Sequence, residues 1–165
     1  MLTLESLAAL CQKHSADLQS RVAECRIRGQ TFHHRDAPHL MGVINLSPDS
    51  WYRESVVLSA EAAMDKARRL RAEGAHLIDL GTESTLAHAV RVDAPSQSQK
   101  LLPIIQTLSR EGILLSVETY HPSTARECLE AGAAVLNLTG TRPSEDVYRM
   151  VADHQAGIIL CYVQG

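Results

Sequence analysis

The sequence predicts an α/β fold built on a parallel sheet, and three observations carry that expectation. From Leu40 onward, apolar runs alternate with amphipathic segments through short loops. Glycines at 74, 112, 132 and 157 punctuate the alternation. Finally, Leu40-Met-Gly-Val-Ile-Asn-Leu-Ser-Pro-Asp-Ser50, Leu77-Ile-Asp-Leu-Gly-Thr-Glu-Ser-Thr85, Leu114-Leu-Ser-Val-Glu-Thr-Tyr120 and Val135-Leu-Asn-Leu-Thr-Gly140 all pass from aliphatic residues into a carboxylate or Asn and then into hydroxyls. A buried parallel strand that delivers a site at its carboxyl end reads this way. Recurrence at successive strands favours the first five units of a TIM (β/α)8 barrel over an open doubly wound sheet, whose site concentrates at one switch point.

Each element has its own justification. Leu4, Leu7, Ala8, Cys11 and Leu18 share a face at helical spacing, which predicts a helix over about 3–23, and residues 1–24 read as a helical extension to a barrel occupying 25–165. Two short runs around Gly29 predict a hairpin over 25–34. The first barrel helix starts at the N-cap Ser59, buries Ala63, Ala67 and Leu70, and stops at Gly74. The second carries Leu101, Ile104, Ile105 and Leu108, with Pro103 expected to kink it before Gly112. Pro122 opens the third, which ends at Gly132. Ser144 starts the fourth, which buries Val147, Met150 and Val151. Ile158 to Val163 is a fifth strand.

Composition narrows the function. The chain has 165 residues, 45% hydrophobic and 21% charged, as expected of one soluble domain. A net charge of −3 without a basic block argues against nucleic acid as a partner. No apolar stretch reaches membrane-span length, and the N-terminus lacks the basic-then-apolar pattern of a signal peptide. Cys11, Cys25, Cys128 and Cys161 are scattered without a Cys-x-x-Cys pair, so they read as reduced thiols of a cytoplasmic protein, Cys161 packing at a strand end. His33, His34 and His39 read as surface histidines rather than metal ligands.

The candidate pocket contains Asn45, Asp49, Asp79, Glu83, Ser84, Thr85, Glu118, Thr119 and Asn137. Carboxylates and amides suit a ligand rich in N–H donors and ring nitrogens. Loop hydroxyls and backbone N–H groups suit a phosphate. Asn45 beside acidic loop residues can ligate Mg²⁺ through oxygen, and Trp51 can stack on a planar ring. An Asp79 inside an apolar run needs either a site role or a charge partner.

Five of these segments, in order, resemble the signatures of dihydropteroate synthase and its pterin-binding relatives. Met41-Gly-Val-Ile-Asn-Leu-Ser-Pro-Asp-Ser-Trp51 matches the first strand and loop, and Leu77-Ile-Asp-Leu-Gly-Thr-Glu-Ser-Thr-Leu-Ala-His-Ala89 the second. Ser116-Val-Glu-Thr-Tyr120, Asn137-Leu-Thr-Gly140 and Cys161-Tyr-Val-Gln-Gly165 correspond to the third, fourth and fifth. The resemblance implies a transferase of folate biosynthesis that joins a dihydropterin pyrophosphate to para-aminobenzoate with the help of Mg²⁺. It implies Asn45 beside the metal and pyrophosphate, and Asp79, Glu118 and Asn137 facing the pterin. Thr85 would lie near the phosphates and Trp51 against the aminobenzoate; Ser84, a hydroxyl beside Thr85, reads as a further substrate-binding residue. Asn45 and Glu118 are then the expected catalytic pair.

The departures are specific. Leu86 stands where the family carries an anion-clamping Arg, with Arg91 nearby. Glu118 lengthens an Asp, and Tyr162 replaces a His. These changes keep open the alternative of a non-catalytic or altered-specificity pterin-binding paralogue. By itself the 165-residue chain is not expected to be a fully competent transferase. A homodimer is one expectation for covering the edge of the fifth strand.

Overall fold

The computed structural model describes residues 3–21, 23–33, 38–48, 52–84, 90–139 and 144–161. Its centre is a five-stranded parallel sheet of β3 (Met41–Asn45), β4 (Leu77–Gly81), β5 (Leu115–Glu118), β6 (Val135–Thr139) and β7 (Gly157–Cys161), ordered β3-β4-β5-β6-β7. Between them run α2 (Ala60–Ala72), α3 (Ala94–Arg110), α4 (Pro122–Ala131) and α5 (Glu145–Asp153). Neighbours in sequence are neighbours in the sheet, so the order never reverses. A sheet wound in one direction has no switch point and coils toward a barrel.

Period-two alternation sorts each strand into two faces. Ile44, Ile78, Leu80, Leu115, Val117, Leu136 and Leu138 join one large core with Ala63, Ala67, Leu101, Ile104, Ile105, Leu108 and Leu129 of the helices. Gly42 lies on this side, where an added Cβ would come within 2.9 Å of Leu70 Cδ1, so its bareness lets α2 approach β3. The opposite face carries Leu77, Asp79, Gly81, Ser116, Glu118, Val135 and Asn137 and forms the barrel interior.

The lower end of that interior is closed by the hairpin. β1 (Cys25–Ile27) pairs antiparallel with β2 (Gln30–Phe32) through Arg28 and Gly29, whose φ values of 48° and 82° make the two-residue turn that suits strand twist. Ile27 and Phe32 cluster with Leu77, Leu114, Ala134, Val135 and Ile159 at the amino ends of the strands. Arg28 donates to the carbonyls of Leu129 and Ala133 at the end of α4 (3.4 and 3.1 Å), tying the plug to the helical layer.

Helix boundaries follow their caps. Ser59 accepts from the Ala62 amide at 3.2 Å and Asp93 from the Ser96 amide at 2.9 Å. Gly74, Gly112 and Gly132 terminate helices with φ of 107°, 76° and 118°. Pro103 lies inside α3, as the sequence placed it, and the helix runs without a break from 94 to 110. Thr107 Oγ1 donates to the Pro103 carbonyl at 2.9 Å. The N-terminal helix is shorter than its apolar spacing suggests. α1 covers Leu4–Lys13 and is followed by a single 3₁₀ turn at Asp17–Gln19. No α1 residue is buried, and its start is set by the capping box of Thr3 and Ser6 rather than by packing.

Candidate functional site

The ends of four strands fall in one lateral row, with Asn45 in register with Gly81, Gly81 with Glu118, and Glu118 with Asn137. Gly81 is the gap that joins them. A Cβ at this position would lie 3.3 Å from Asn45 Oδ1 and 3.4 Å from Glu118 Oε2. Two oxygen-bearing side chains from strands two apart therefore converge over one glycine. Three of the sequence-predicted residues, Asn45, Glu118 and Asn137, meet here, and Asp79 lies one pleat below on the same face.

Asp79 is 5% exposed. Its Oδ2 accepts from Asn137 Nδ2 at 3.2 Å, while Oδ1 has no hydrogen-bond partner among the described residues. Burial pushes its carboxyl above the ordinary carboxylate value. The neighbouring Ser116 hydroxyl and the Asn137 amide pull the other way, although Ser116 Oγ completes no hydrogen bond among the described residues. A buried acceptor and an unsatisfied hydroxyl on one wall form a seat for a ligand that brings its own N–H groups. Asn137 stands on the interior wall against Asp79.

Asn45 is held from behind. Ser55, which is buried, gives its proton to the Tyr52 carbonyl at 2.6 Å, so its oxygen must accept from Asn45 Nδ2, also at 2.6 Å. That relay fixes the amide with Oδ1 toward the Gly81 gap. Ser55 was missed by the sequence reading, since it sits in a 3₁₀ turn with no apolar rhythm around it.

A second polar layer backs the row. Glu83 is buried, and its carboxylate accepts from Arg91, from the Val92 amide at 3.0 Å and from Gln97 Nε2 at 3.3 Å. Arg91 is largely exposed and lies 5.8 Å over the Tyr120 ring. The Glu83 contact raises the pKa of the Arg91 guanidinium further. Burial, reinforced by the charge of Glu118, raises that of the Tyr120 phenol. Ser84 and Thr119 are buried beside this layer. Asp49, Trp51, Thr85, Leu86, His34 and Tyr162 lie outside the described residues. Cys161 is exposed rather than packed, because it ends the last strand of the sheet. Among the described residues no group of three or more His, Cys, Asp or Glu side chains is arranged to hold a metal. Any cation here must draw on amide and hydroxyl oxygens as well.

Comparison with known proteins points the same way. Residues 41–165 match the family described as pterin binding enzyme. The chain is 34% identical over 129 residues to dihydropteroate synthase of Synechocystis, covering 77% of this chain and 45% of that protein. It is 32% identical over 125 residues to the Bacillus subtilis synthase, covering 74% and 44%. Among solved structures, Yersinia pestis dihydropteroate synthase with a sulfonamide drug superposes with a TM-score of 0.76 at 27% identity, over 87% of this chain and 52% of that one. The Xanthomonas albilineans enzyme with 4-aminobenzoic acid gives 0.69 at 30% identity, over 83% and 51%. The chain thus spans about half the length of the relatives it matches, and its sheet is five β/α units of their (β/α)8 barrel. With that architecture, the ordered signatures and the family match over three-quarters of its length, the chain belongs to the pterin-binding enzyme family.

Proposed function

We propose that the pocket binds a dihydropterin pyrophosphate and belongs to a transferase that joins it to para-aminobenzoate in folate synthesis. The observation that carries this reading is the buried Asp79 carboxylate, with one oxygen on Asn137 and the other without a partner among the described residues, one pleat below the strand ends in a chain of the pterin-binding family. A flat heterocycle with adjacent N–H groups offers the donors that Asp79 lacks, and the Asn137 amide sets the orientation.

The chemistry asked of the pocket is substitution at the pterin methylene. The C–O bond to pyrophosphate breaks and its electron pair leaves with the phosphate. The amine of para-aminobenzoate forms the new C–N bond and then loses a proton. The interior wall holds the ring and orients the methylene toward the mouth. Asn45 Oδ1 and Glu118 Oε2, hard oxygen donors over the same glycine, fit a Mg²⁺ ion, which would neutralise charge on the departing pyrophosphate. Arg53, which donates to the Pro48 carbonyl at 3.0 Å after β3, and Arg91, which pairs with Glu83 after β4, are the cations we assign to the pyrophosphate in place of an Arg at position 86. Glu118 and Leu86 keep the binding-only paralogue as the second reading.

The test is calorimetric titration with a dihydropterin pyrophosphate, with and without Mg²⁺. Affinity is expected to fall by ~10-fold or more in Asn137→Ala, which removes the amide from Asp79. Unchanged binding in that variant would remove Asn137 from the site. Catalysis by the full-length protein, followed as pyrophosphate release dependent on para-aminobenzoate, separates the transferase from the paralogue.

A further inference from the structure

α3 presents an apolar stripe at Leu101, Ile104, Ile105 and Leu108, and the stripe begins with a polar residue. Gln97 is fully buried at its head, one turn before Leu101. A buried primary amide has to satisfy two N–H groups and a carbonyl, and Gln97 does so across three segments. Its Nε2 donates to Glu83 Oε2 at 3.3 Å and to the Val92 carbonyl at 3.0 Å. Its Oε1 accepts from Thr119 Oγ1 at 2.7 Å. Thr119 Oγ1 in turn accepts from the His121 amide at 3.2 Å, and His121 Nε2 meets the same Val92 carbonyl at 3.0 Å.

These contacts have a direction. Glu83 as a carboxylate and Val92 through its carbonyl can only accept, so both need the N–H groups of Gln97 and its Oε1 is left to Thr119. The amide therefore fits in one orientation alone. Glu83 lies two residues beyond Gly81 at the end of β4, and Thr119 follows Glu118 at the end of β5. Gln97 is thus the cross-strut that fixes the spacing of the two strand ends between which Gly81 and Glu118 stand.

We propose that Gln97 is a positioning residue for the pocket, setting Glu118 and the start of the loop after β4 through Thr119 and Glu83. The inference rests on the pterin-binding reading for its ligand, but not for its geometry. A pocket held only by the apolar stripe would not depend on the direction of this amide.

The experiment uses Gln97→Glu and Gln97→Met, titrated with dihydropterin pyrophosphate between about pH 5 and pH 8 and expressed as the ratio to wild type at each pH. Glu83, Arg91, Asp93, Glu118, Tyr120 and His121 surround the position in both proteins, so the ratio to wild type reports the carboxyl pair that the substitution creates against Glu83. Ionised, the new carboxylate faces Glu83 without a proton to offer, and affinity is expected to fall by ~10–100-fold. Protonated, it donates to Glu83 and still accepts from Thr119, so the ratio returns toward one as pH falls. Gln97→Met has neither group and should lose affinity equally at every pH. A Gln97→Met affinity within twofold of wild type, or a Gln97→Glu ratio that does not change with pH, overturns the proposal. If neither variant folds, Thr119→Val should lose affinity while Thr119→Ser keeps it, and equal behaviour of that pair overturns it instead. If wild type binds no pterin, the functional reading fails by itself. The strut is then read from hydrogen exchange at the Val92 and His121 amides. In Gln97→Glu these are expected to exchange faster than wild type at high pH and to match it at low pH, and equal rates throughout refute the strut.

Discussion

Asp79 illustrates what a pocket costs before its ligand arrives. The folded chain buries this carboxyl and holds its proton more tightly than the unfolded chain does. Between the ordinary carboxylate pKa and the raised folded value, the native state binds more protons, so stability falls as pH rises. Asp79→Asn should therefore melt higher than wild type near pH ~7 by an amount on the order of 1–3 kcal/mol, with the gap closing below the ordinary carboxylate range. The same variant should bind pterin more weakly. A lower melting temperature, or one offset from wild type by the same amount at all pH values, would contradict this account. Asp79 was legible in the sequence because a carboxylate inside an aliphatic run demands a reason. Gln97 was legible in principle, as a polar residue spaced with Leu101, Ile104 and Leu108, but the stripe was read only for its apolar members. Ser55 had no such signal, because its partners, Asn45 and Tyr52, are set by how a loop folds back.

At the scale of elements, the strands and barrel helices followed from local chemistry. Alternation set the strands, Ser59 and Asp93 capped two helices, and the left-handed glycines ended three. The extent of α1 did not follow, since helical spacing marks an apolar face but not whether anything packs against it. The hairpin was visible from Gly29, yet its role as the barrel's lower plug depends on contacts with residues up to about 130 positions away. Gly157 receives Ile27 closely, an added Cβ there lying 3.0 Å from Ile27 Cδ1. Ile27→Ala is expected to cost ~2–4 kcal/mol in urea unfolding. A loss below ~0.5 kcal/mol would mean that the hairpin only rests on the strands. Pterin affinity measured on the folded fraction should hardly change, because the plug and the row of site residues lie at opposite ends of the strands.

For the whole molecule, the sheet is wound in one sense and each pocket group comes from a different unit: Asn45 from β3, Asp79 from β4, Glu118 from β5 and Asn137 from β6. The recurring polar strand ends had announced this arrangement, whereas the convergence over Gly81 needed the strand register. Under the proposed function, with Leu86 at the position where the resemblance expects an Arg, anion binding would fall to Arg53 and Arg91. The double variant Arg53→Ala/Arg91→Ala in the full-length protein should lower kcat/KM for dihydropterin pyrophosphate by ~10-fold or more, while leaving affinity for the diphosphate-free pterin close to wild type. Unaltered turnover would show that neither arginine serves the anion. Division of the pocket among separate units also shapes how such a protein can diverge. An exchange at one strand tip retunes a single facet of recognition while the aliphatic layer beneath it stays intact, so lineages can wander in chemistry long before they lose their architecture.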